Sequence, residues 1–509
     1  SYRHNCVCLK IGEYYTLTSI DLPNRITSIG ESAFKGCSAL TSIAIPNNDN
    51  VITIWRYAFS GCTSLATVEV PSSVKDIYHA AFSDCTSLTT VIISDGDAAL
   101  TINGELFTNC PLKEVYVGRN LSYSDANYSP FCNQSELSKV VLSNSVTRIG
   151  LSAFSGCTSL ASIEIPNSVT SIEKKAFDGC TSLTSIKIPN SVFFIEVSAF
   201  NGCTSLANIN IIDGNRLLKI DGESVLFEDS PLKEVYWGRD LQYSSKYSPF
   251  RNQKDLINVT IGNSVTSIRQ SAFEGCSSLA SIEIPNSVIS IGESAFKGCT
   301  TLANVIISDG NSELDSDDSY IFDGCSLKEV YLGRNFEYTS PFKNQNQLAK
   351  ITIGANVTEI KSSEFEGCVA LSIVVIDDCT NPLDCFATLN DSPLKEVYLG
   401  RNISYSPFKC QKGLTKVTIG DKVTNINDFT FGECDSIMNI EIKNCTAQFE
   451  SSAFENSVYR NANLIISAII RGKDLIMSFT PKEIIYFYQF YGLTNWIVQI
   501  LFILPRMAV

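Results

Sequence analysis

Residues 165–177 read Ile-Pro-Asn-Ser-Val-Thr-Ser-Ile-Glu-Lys-Lys-Ala-Phe, and residues 188–200 read Ile-Pro-Asn-Ser-Val-Phe-Phe-Ile-Glu-Val-Ser-Ala-Phe. The two stretches share one frame, and Phe154, Phe177 and Phe200 follow each other at intervals of 23 residues. A fixed period of about 20 to 50 residues indicates a repeat array. One such repeat cannot enclose its own apolar side chains, so we expect stacked neighbours to complete the core.

Each repeat has the chemistry of two short extended segments joined by turns. Ile163 and Ile165 flank a polar residue, and this alternation predicts a strand with one apolar face. Pro166 ends that strand because it has no N–H to donate to a ladder. Asn167-Ser168 is typical of a turn, and Val169–Ile172 forms the second extended segment. The Ala-Phe and Gly-Cys pairs that complete the repeat predict a compact inward-facing turn.

The full motif, L-x-x-I-x-I-P-x-S-V-x-x-I-x-x-x-A-F-x-x-C, resembles the repeat of the BspA-like leucine-rich repeat family, and the match covers residues 17–458. The resemblance implies a β-rich solenoid, a leucine-rich repeat array of about 23-residue units with short parallel strands and helical turns. It also implies a bacterial surface or secreted protein, with relatives in some protists. Such proteins bind host proteins and cells, and no catalytic residues accompany the motif.

The pattern divides the chain into three segments. Residues 1–16 are predicted to be the remnant of an N-terminal cap, residues 17–458 the solenoid, and residues 459–509 a non-repeat C-terminal tail. The Phe landmarks give 19 repeats, with poor matches near Phe107 and Phe386. Because the sequence begins without Met or an apolar leader, either a signal has been removed or the sequence is a fragment.

The C-terminal tail contains a candidate membrane anchor. Ile484–Leu504 is a block of 21 residues without a charged side chain, and this is the length of a membrane span. Polar residues such as Gln489 and Asn495 interrupt it. A cap made of a helix and strands, or an out-of-frame end of the reading frame, remain alternatives.

Composition limits the classes of partner. The chain has 39 basic and 53 acidic residues, a formal net charge of −14 and a pI of about 4.8. Nucleic-acid binding requires a basic surface, so no nucleic-acid partner is predicted. Electrostatic attachment to anionic lipid is disfavoured for the same reason, which leaves the C-terminal anchor as the only predicted membrane contact.

Most of the 19 cysteines belong to the repeat and do not form a disulfide framework. We expect a ladder of buried free thiols that act as small apolar side chains, since parallel side chains suit disulfide geometry poorly. Cys6-x-Cys8 and the Cys379/Cys385 pair lack zinc-ligand spacing and His partners, so no metal or cofactor is predicted. Twelve cysteines follow a repeat Phe by three residues: Cys37, Cys62, Cys85, Cys110, Cys157, Cys180, Cys203, Cys276, Cys299, Cys325, Cys368 and Cys434.

The sequence carries no recognisable catalytic constellation. Its two histidines, His4 and His79, are unrelated in position, and there is no His-Glu-x-x-His, Gly-x-Ser-x-Gly or phosphate-binding Gly-rich loop. The acidic run from Asp309 to Asp318 lacks the spacing of a calcium loop. The prediction is therefore a protein without enzymatic activity, with a glycan-active enzyme as a remote alternative.

A second form of repeat occurs four times and supplies the candidate binding residues. Its first copy reads Leu112-Lys-Glu-Val-Tyr-Val-Gly-Arg119, and the others begin at Leu232, Leu327 and Leu394; we call these the Tyr–Arg repeats. The Tyr takes the outward position of a strand and the Arg follows three residues later. The candidates are Tyr116, Arg119, Tyr236, Arg239, Tyr331, Arg334, Tyr398 and Arg401.

Tyrosine and arginine are enriched in binding hot spots, and spaced copies favour multivalent contact with a long partner. The alternative is structural: each Tyr covers an irregular step in the array and each Arg pairs with a nearby carboxylate. With the resemblance, these residues support an extracellular or cell-surface protein that adheres to host or matrix proteins. An intracellular scaffold or recognition module, which would fit the many thiols, is the second hypothesis.

Overall fold

The computed structural model describes two compact halves, Ser1–Val265 and Thr266–Val509. Both are built from short β-strands that recur once or twice in every repeat. The residues described are 6–7, 16–47, 50–221, 225–316, 320–337, 340–386, 389, 392–443, 447–450, 453–454, 457, 463–470 and 473–479.

The strands of the N-terminal half are β1 (Cys6–Val7), β2 (Ser19–Asp21), β3 (Ser28–Ile29), β4 (Ser42–Ala44), β5 (Ile52–Ile54), β6 (Thr67–Val70), β7 (Val74–Tyr78), β8 (Thr90–Ile93), β9 (Leu100–Asn103), β10 (Glu114–Val117), β11 (Leu121–Ser122), β12 (Lys139–Leu142), β13 (Arg148–Ile149), β14 (Ser171–Ile172), β15 (Ser185–Ile188), β16 (Phe194–Ile195), β17 (Asn208–Ile211), β18 (Leu218–Ile220), β19 (Glu234–Trp237), β20 (Leu241–Gln242) and β21 (Asn258–Ile261). Two short 3-10 helices accompany them, Ala126–Tyr128 and Ser245–Tyr247.

The strands of the C-terminal half are β22 (Ser267–Ile268), β23 (Ser281–Ile284), β24 (Ser290–Ile291), β25 (Asn304–Ile307), β26 (Asp315–Ser316), β27 (Glu329–Leu332), β28 (Lys350–Ile353), β29 (Glu359–Ile360), β30 (Ile373–Ile376), β31 (Leu383–Cys385), β32 (Glu396–Leu399), β33 (Ile403–Ser404), β34 (Lys416–Ile419), β35 (Asn425–Ile426), β36 (Asn439–Ile442), β37 (Gln448–Phe449), β38 (Asn463–Ile470) and β39 (Lys473–Phe479).

Each half is a parallel β-solenoid, as the repeat predicts. The four-residue strands pair with the equivalent strands of neighbouring repeats, in the orders β12-β10-β8-β6 and β15-β17-β19-β21 and in the series β23-β25-β27-β28-β30-β32-β34-β36. The shorter strands form separate sheets, such as β13-β14-β16-β18-β20. We call the solvent side of the four-residue strands the broad face; in β15, Ile186 and Ile188 are buried while Ser185 and Lys187 are exposed on it.

A ladder of phenylalanine rings fills the core of each half. Phe177 has no exposed surface and stacks between Phe154 and Phe200, with ring centroids 5.7 and 5.3 Å apart. In the N-terminal half the rungs are Phe34, Phe59, Phe82, Phe107, Phe131, Phe154, Phe177, Phe200, Phe227 and Phe250; in the C-terminal half they include Phe273, Phe296, Phe322, Phe342, Phe365, Phe408, Phe431 and Phe454.

The two poor matches in the repeat count, Phe107 and Phe386, have different positions in the structure: Phe107 belongs to the ring ladder and Phe386 does not. Phe107 stacks with Phe82 at 5.7 Å like any other rung. Phe386 is 40% exposed and contacts Tyr405, whereas Leu389 is buried. Phe386 follows the buried Cys385 at the end of a strand, and alternation therefore points its side chain outward.

The cysteine ladder lies beside the rings and bonds one repeat to the previous one. Eleven of the twelve repeat cysteines are buried, which confirms the predicted burial, and Cys325 is half-buried. The Cys180 thiol donates to the Phe154 carbonyl at 3.1 Å, and other repeats do the same. In the Tyr–Arg repeats a glutamine amide replaces the thiol, as when Gln253 Nε2 donates to Phe227 O at 3.1 Å. The cysteine is thus a small apolar residue with one weak donor.

We expect the ladder cysteines to resist alkylation in the folded protein at pH 8. Burial raises the pKa of the thiols of Cys157, Cys203 and Cys299 to about 12, and only thiolates react readily. Among the cysteines whose environment is described, exposed Cys410 should be modified first. Mass spectrometry of peptides after iodoacetamide treatment, with and without urea, checks this. Native labelling of Cys157 at the rate of Cys410 would contradict it.

The turns between repeats do not form the helical turns that the resemblance implies. Ser152 and Gly156 adopt positive φ angles of 51° and 72°, which interrupts a right-handed helix. Their N–H groups point to the next repeat instead, where Ser152 N donates to Lys174 O at 2.9 Å and Gly156 N to Asp178 O at 2.7 Å. The turns therefore bond between repeats and not within a helix.

At the chain ends, the described residues extend the sheets. Strand β1 pairs in parallel with β3, and the hairpin β38–β39 adds an antiparallel end to the strand series of the C-terminal half. Within the described residues, no helix has the length and apolar character needed to cross a bilayer. The predicted anchor, residues 484–504, lies outside the described residues.

Candidate functional site

The tyrosines of the Tyr–Arg repeats lie on the broad face. Strands β10, β19, β27 and β32 each carry the sequence Glu-Val-Tyr, with Val inward and a half-buried Tyr outward. Each hydroxyl donates to an aspartate of the preceding repeat. The bonds run from Tyr116 to Asp95 (3.0 Å), Tyr236 to Asp213 (2.6 Å), Tyr331 to Asp309 (2.9 Å) and Tyr398 to Asp378 (2.8 Å).

Burial and the bonded aspartates raise the pKa of the Tyr236, Tyr331 and Tyr398 phenols. The hydrogen bond to Asp213 raises the pKa of Tyr236, with desolvation adding to it. Desolvation raises the pKa of Tyr331 and Tyr398 above the ordinary value, and the bonded aspartates raise it further. Each of these three tyrosines is therefore a fixed aromatic surface with a neutral hydroxyl at physiological pH.

The arginines of the Tyr–Arg repeats do not belong to this surface, and here the prediction of direct binding by arginine is wrong. Arg119, Arg239 and Arg401 have no exposed surface, and Arg334 is 1% exposed. Burial lowers the pKa of all four, for Arg239 to about 10, so the guanidinium remains charged at pH 7.

Each guanidinium reaches two repeats back and donates to backbone carbonyls of a turn. Arg119 bonds Pro71 O at 2.9 Å and Ser72 O at 3.1 Å. The predicted pairing with a carboxylate is therefore also incorrect, because carbonyls accept these bonds. Equivalent pairs of bonds link Arg239 to Pro189 and Asn190, Arg334 to Pro285 and Asn286, and Arg401 to Gly354 and Ala355. These bonds connect repeats that are not adjacent, which ordinary solenoid contacts do not do.

Glycines create the space for this arrangement in the third copy. A Cβ on Gly310 would lie 3.3 Å from Cδ of Arg334, so the arginine passes where a side chain would otherwise be. A Cβ on Gly333 would lie 2.4 Å from Ile307 O, which forces glycine where the two backbones meet. A Cβ on Gly354 would lie 2.7 Å from the Tyr331 hydroxyl, so the next repeat leaves room for the Tyr–Asp pair.

Sequence reasoning missed the aspartates, although a signal was present. In three repeats Pro-Asn-Ser follows the strand, but Ser94-Asp95-Gly96, Ile212-Asp213-Gly214 and Ser308-Asp309-Gly310 take this place before the first three Tyr–Arg repeats. The fourth copy is preceded by Asp377-Asp378-Cys379. The Asp supplies the acceptor for the Tyr, and in the first and third copies Gly96 and Gly310 leave room for Arg119 and Arg334.

A buried carboxyl was also missed. Glu364 occupies the inward position that is Ala in nine of the repeats, and it is only 4% exposed. Desolvation raises its pKa to about 8, against the smaller lowering effects of Lys361 and Ser340. It borders a cavity of about 30 Å³ that Phe336 and Ile360 also line, and its Oε1 has no hydrogen-bond partner among the described residues.

We expect the stability of the C-terminal half to fall as pH rises from about 4.5 to 8. In this window unfolded Glu364 has released its proton and folded Glu364 retains it, so raising the pH favours unfolding. The loss should total about 2–5 kcal/mol. Glu364→Ala should remove the fall, while Glu366→Ala, which breaks only a surface ion pair with Lys343, should retain it. Urea denaturation at pH 5 and 8.5 measures the difference; a wild-type slope in Glu364→Ala would contradict it.

The site offers noncovalent recognition chemistry. No group of three or more His, Cys, Asp or Glu suited to hold a metal ion occurs in the described part of the chain. His79 packs edge-on against Tyr57 at 5.7 Å, so its ring belongs to an aromatic contact. What the broad face presents at each Tyr–Arg repeat is an aromatic ring and a carboxylate held in fixed geometry.

The sequence matches a repeat-family profile over most of its length. Residues 12–129, 124–253, 244–372 and 401–474 match the profile of the BspA type leucine rich repeat region (6 copies). No curated protein matches the sequence. Among solved structures, a leucine-rich repeat protein from Bacteroides ovatus is 24% identical, with 70% of this chain and 86% of that chain covered and a TM-score of 0.39. A leucine rich cell surface protein from Faecalibacterium prausnitzii is 22% identical, with 71% and 79% covered and a TM-score of 0.20.

Proposed function

Because the chain belongs to the BspA type leucine-rich repeat family, we propose that it is a non-catalytic surface or secreted protein that mediates adhesion to host or matrix proteins. The leucine-rich repeat solenoid is a protein–protein interaction fold and typically a non-catalytic binding scaffold. The proposed location is extracellular or at the cell surface, as for the family in general.

The observation that carries the proposal is the recurrence of Tyr116, Tyr236, Tyr331 and Tyr398 on the broad face, each fixed by an aspartate. A tyrosine whose hydroxyl is already bonded loses little conformational freedom on binding. Four copies along one chain favour avidity for a long or repetitive protein partner. Because the four arginines are buried, the proposed binding role falls to the tyrosines and their aspartates.

An intracellular scaffold is the second candidate. All 16 cysteines whose environment is described are free thiols, which suits a reducing compartment. Their burial, however, leaves most of them unreactive in either compartment. Location therefore separates the two candidates better than thiol content does.

Protease shaving of intact source cells, followed by detection of the chain, tests location. Loss of the protein from shaved cells supports the surface proposal, and protection with an intact cytosolic control supports the scaffold. In parallel, the purified full chain is tested for binding to host cells and immobilised matrix proteins. Failure to bind any of them would contradict adhesion even if the protein is exposed.

A further inference from the structure

Two of the tyrosines stand in one row on the broad face of the C-terminal half. Strands β27, β28, β30 and β32 are consecutive neighbours, and Tyr331, Thr352, Val375 and Tyr398 are partners in register. Three strand spacings of about 4.8 Å place the two tyrosines about 14 Å apart. Thr352 and Val375 have smaller side chains than tyrosine, so the row has an aromatic ring at each end and a shallow depression between the rings.

Carboxylates converge on this row. The Tyr331 hydroxyl lies 2.9 Å from Asp309 Oδ2 and 3.4 Å from Asp377 Oδ2, and Tyr398 bonds Asp378. A hydroxyl has one proton, so it can satisfy only one of two carboxylates at a time. Desolvation and the neighbouring Asp309 and Asp378 raise the pKa of Asp377, while the Tyr331 hydroxyl and buried Arg401 lower it.

Two glutamates of the same face already have basic partners. Glu329 pairs with Lys350 at 3.5 Å, and Glu396 pairs with Lys416 at 3.3 Å. Among the described residues, Asp309, Asp377 and Asp378 have no such ion pair within 4 Å. The row thus carries three carboxylates that no basic side chain neutralises within 4 Å among the described residues.

One lysine of the chain already lies over an aromatic ring of the row. Lys443 Nζ lies 5.0 Å from the ring centroid of Tyr398, within the range of a cation–π contact. This contact is an observation separate from the Tyr–Asp hydrogen bonds, and it lies at the Tyr398 end of the row. No cation lies over Tyr331 in the described part of the chain.

We propose that this row binds an extended basic segment of a protein partner, with Lys or Arg side chains four residues apart. An extended chain advances about 3.3 Å per residue, so residues i and i+4 are about 13 Å apart and on the same side. One cation lies against Tyr331 between Asp309 and Asp377, and the other takes the position of Lys443 at Tyr398. The inference rests on the proposed binding function and names the chemistry of the partner.

Fluorescence anisotropy of the full chain with synthetic peptides tests the spacing. A Gly-Ser-Thr peptide with two Arg at i and i+4 should bind at least 10-fold more tightly than one with two Arg at i and i+3, whose side chains point to opposite sides. A peptide with two Glu at i and i+4 should not bind. Affinity that depends on peptide charge and not on spacing would overturn the proposal.

Matched variants test the location. Asp309→Asn with Asp377→Asn should weaken the i,i+4 peptide about 10-fold, and Asn Oδ1 still accepts the Tyr331 bond. Asp323→Asn with Asp178→Asn removes the same charge from the two surface ion pairs with Lys297 and Lys175, and it should leave affinity within 2-fold. Lys443→Ala should tighten binding. An equal loss in both double variants would indicate general charge attraction and overturn the proposal.

Failure of this inference is distinguishable from failure of the proposed function. A chain that binds matrix proteins but ignores the spaced arginines retains the adhesive function and refutes the basic segment. A chain that binds neither refutes both.

Discussion

Arg119→Met is expected to lower the free energy of unfolding by about 3–5 kcal/mol, although Met is an apolar side chain that fills much of the same buried space. The carbonyls of Pro71 and Ser72 lose their charged donor and stay buried without one. A buried polar group left unpaired costs about 1–3 kcal/mol, and two carbonyls lose their donor at once. Urea denaturation followed by circular dichroism measures the change.

The matched control is Arg56→Met, which removes an exposed arginine of the same half. We expect a change within about 0.5 kcal/mol there. Because repeat arrays can unfold locally, hydrogen exchange of the amides at residues 73–78 should also accelerate in Arg119→Met and not in the control. An Arg119→Met protein as stable as Arg56→Met would show that the guanidinium bonds do not hold the repeats together.

Phe177→Ala is expected to cost about 3–5 kcal/mol, because it removes a fully buried ring that stacks on Phe154 and Phe200. Phe177→Leu should cost only about 1–1.5 kcal/mol, since Leu389 occupies the same ladder position in the native chain. Thermal and urea denaturation of both variants measure the difference.

Phe193→Ala is the control for the ring ladder, since Phe193 lies in the same repeat as Phe200 and is 36% exposed. Its loss removes a contact with the Arg216 guanidinium, at 3.9 Å, and should cost about 1 kcal/mol or less. Equal destabilisation by Phe193→Ala and Phe177→Ala would mean that the ladder is not the main source of stability.

The fold was predictable because a 23-residue period repeats the inward positions many times. The residue types at Ile186, Phe177 and Cys180 recur at buried positions in many repeats, and this recurrence identifies the core. At Phe386 the 23-residue period does not identify the buried residue. Two apolar residues, Phe386 and Leu389, compete for one rung, and the end of the preceding strand decides between them.

The Tyr–Arg repeats could be recognised from the sequence, but the burial of their arginines could not. Arginine is rarely buried, so Arg119 reads as a surface residue until its acceptors are known. Those acceptors are backbone carbonyls 47 and 48 residues earlier, and a carbonyl has no residue-specific letter. Glu364 was missed for a related reason, since one Glu in place of Ala is visible only when its burial is known.

The division of roles within the Tyr–Arg repeats is tested most directly by replacing Tyr116, Tyr236, Tyr331 and Tyr398 together with Ser, leaving all four arginines in place. We measure binding of this variant and of the wild type to the same matrix protein, with urea denaturation as the control for folding. The expected result is a cooperatively folded protein whose binding is reduced at least 10-fold. A folded variant that binds as the wild type does would contradict the assignment of the tyrosines to the binding surface.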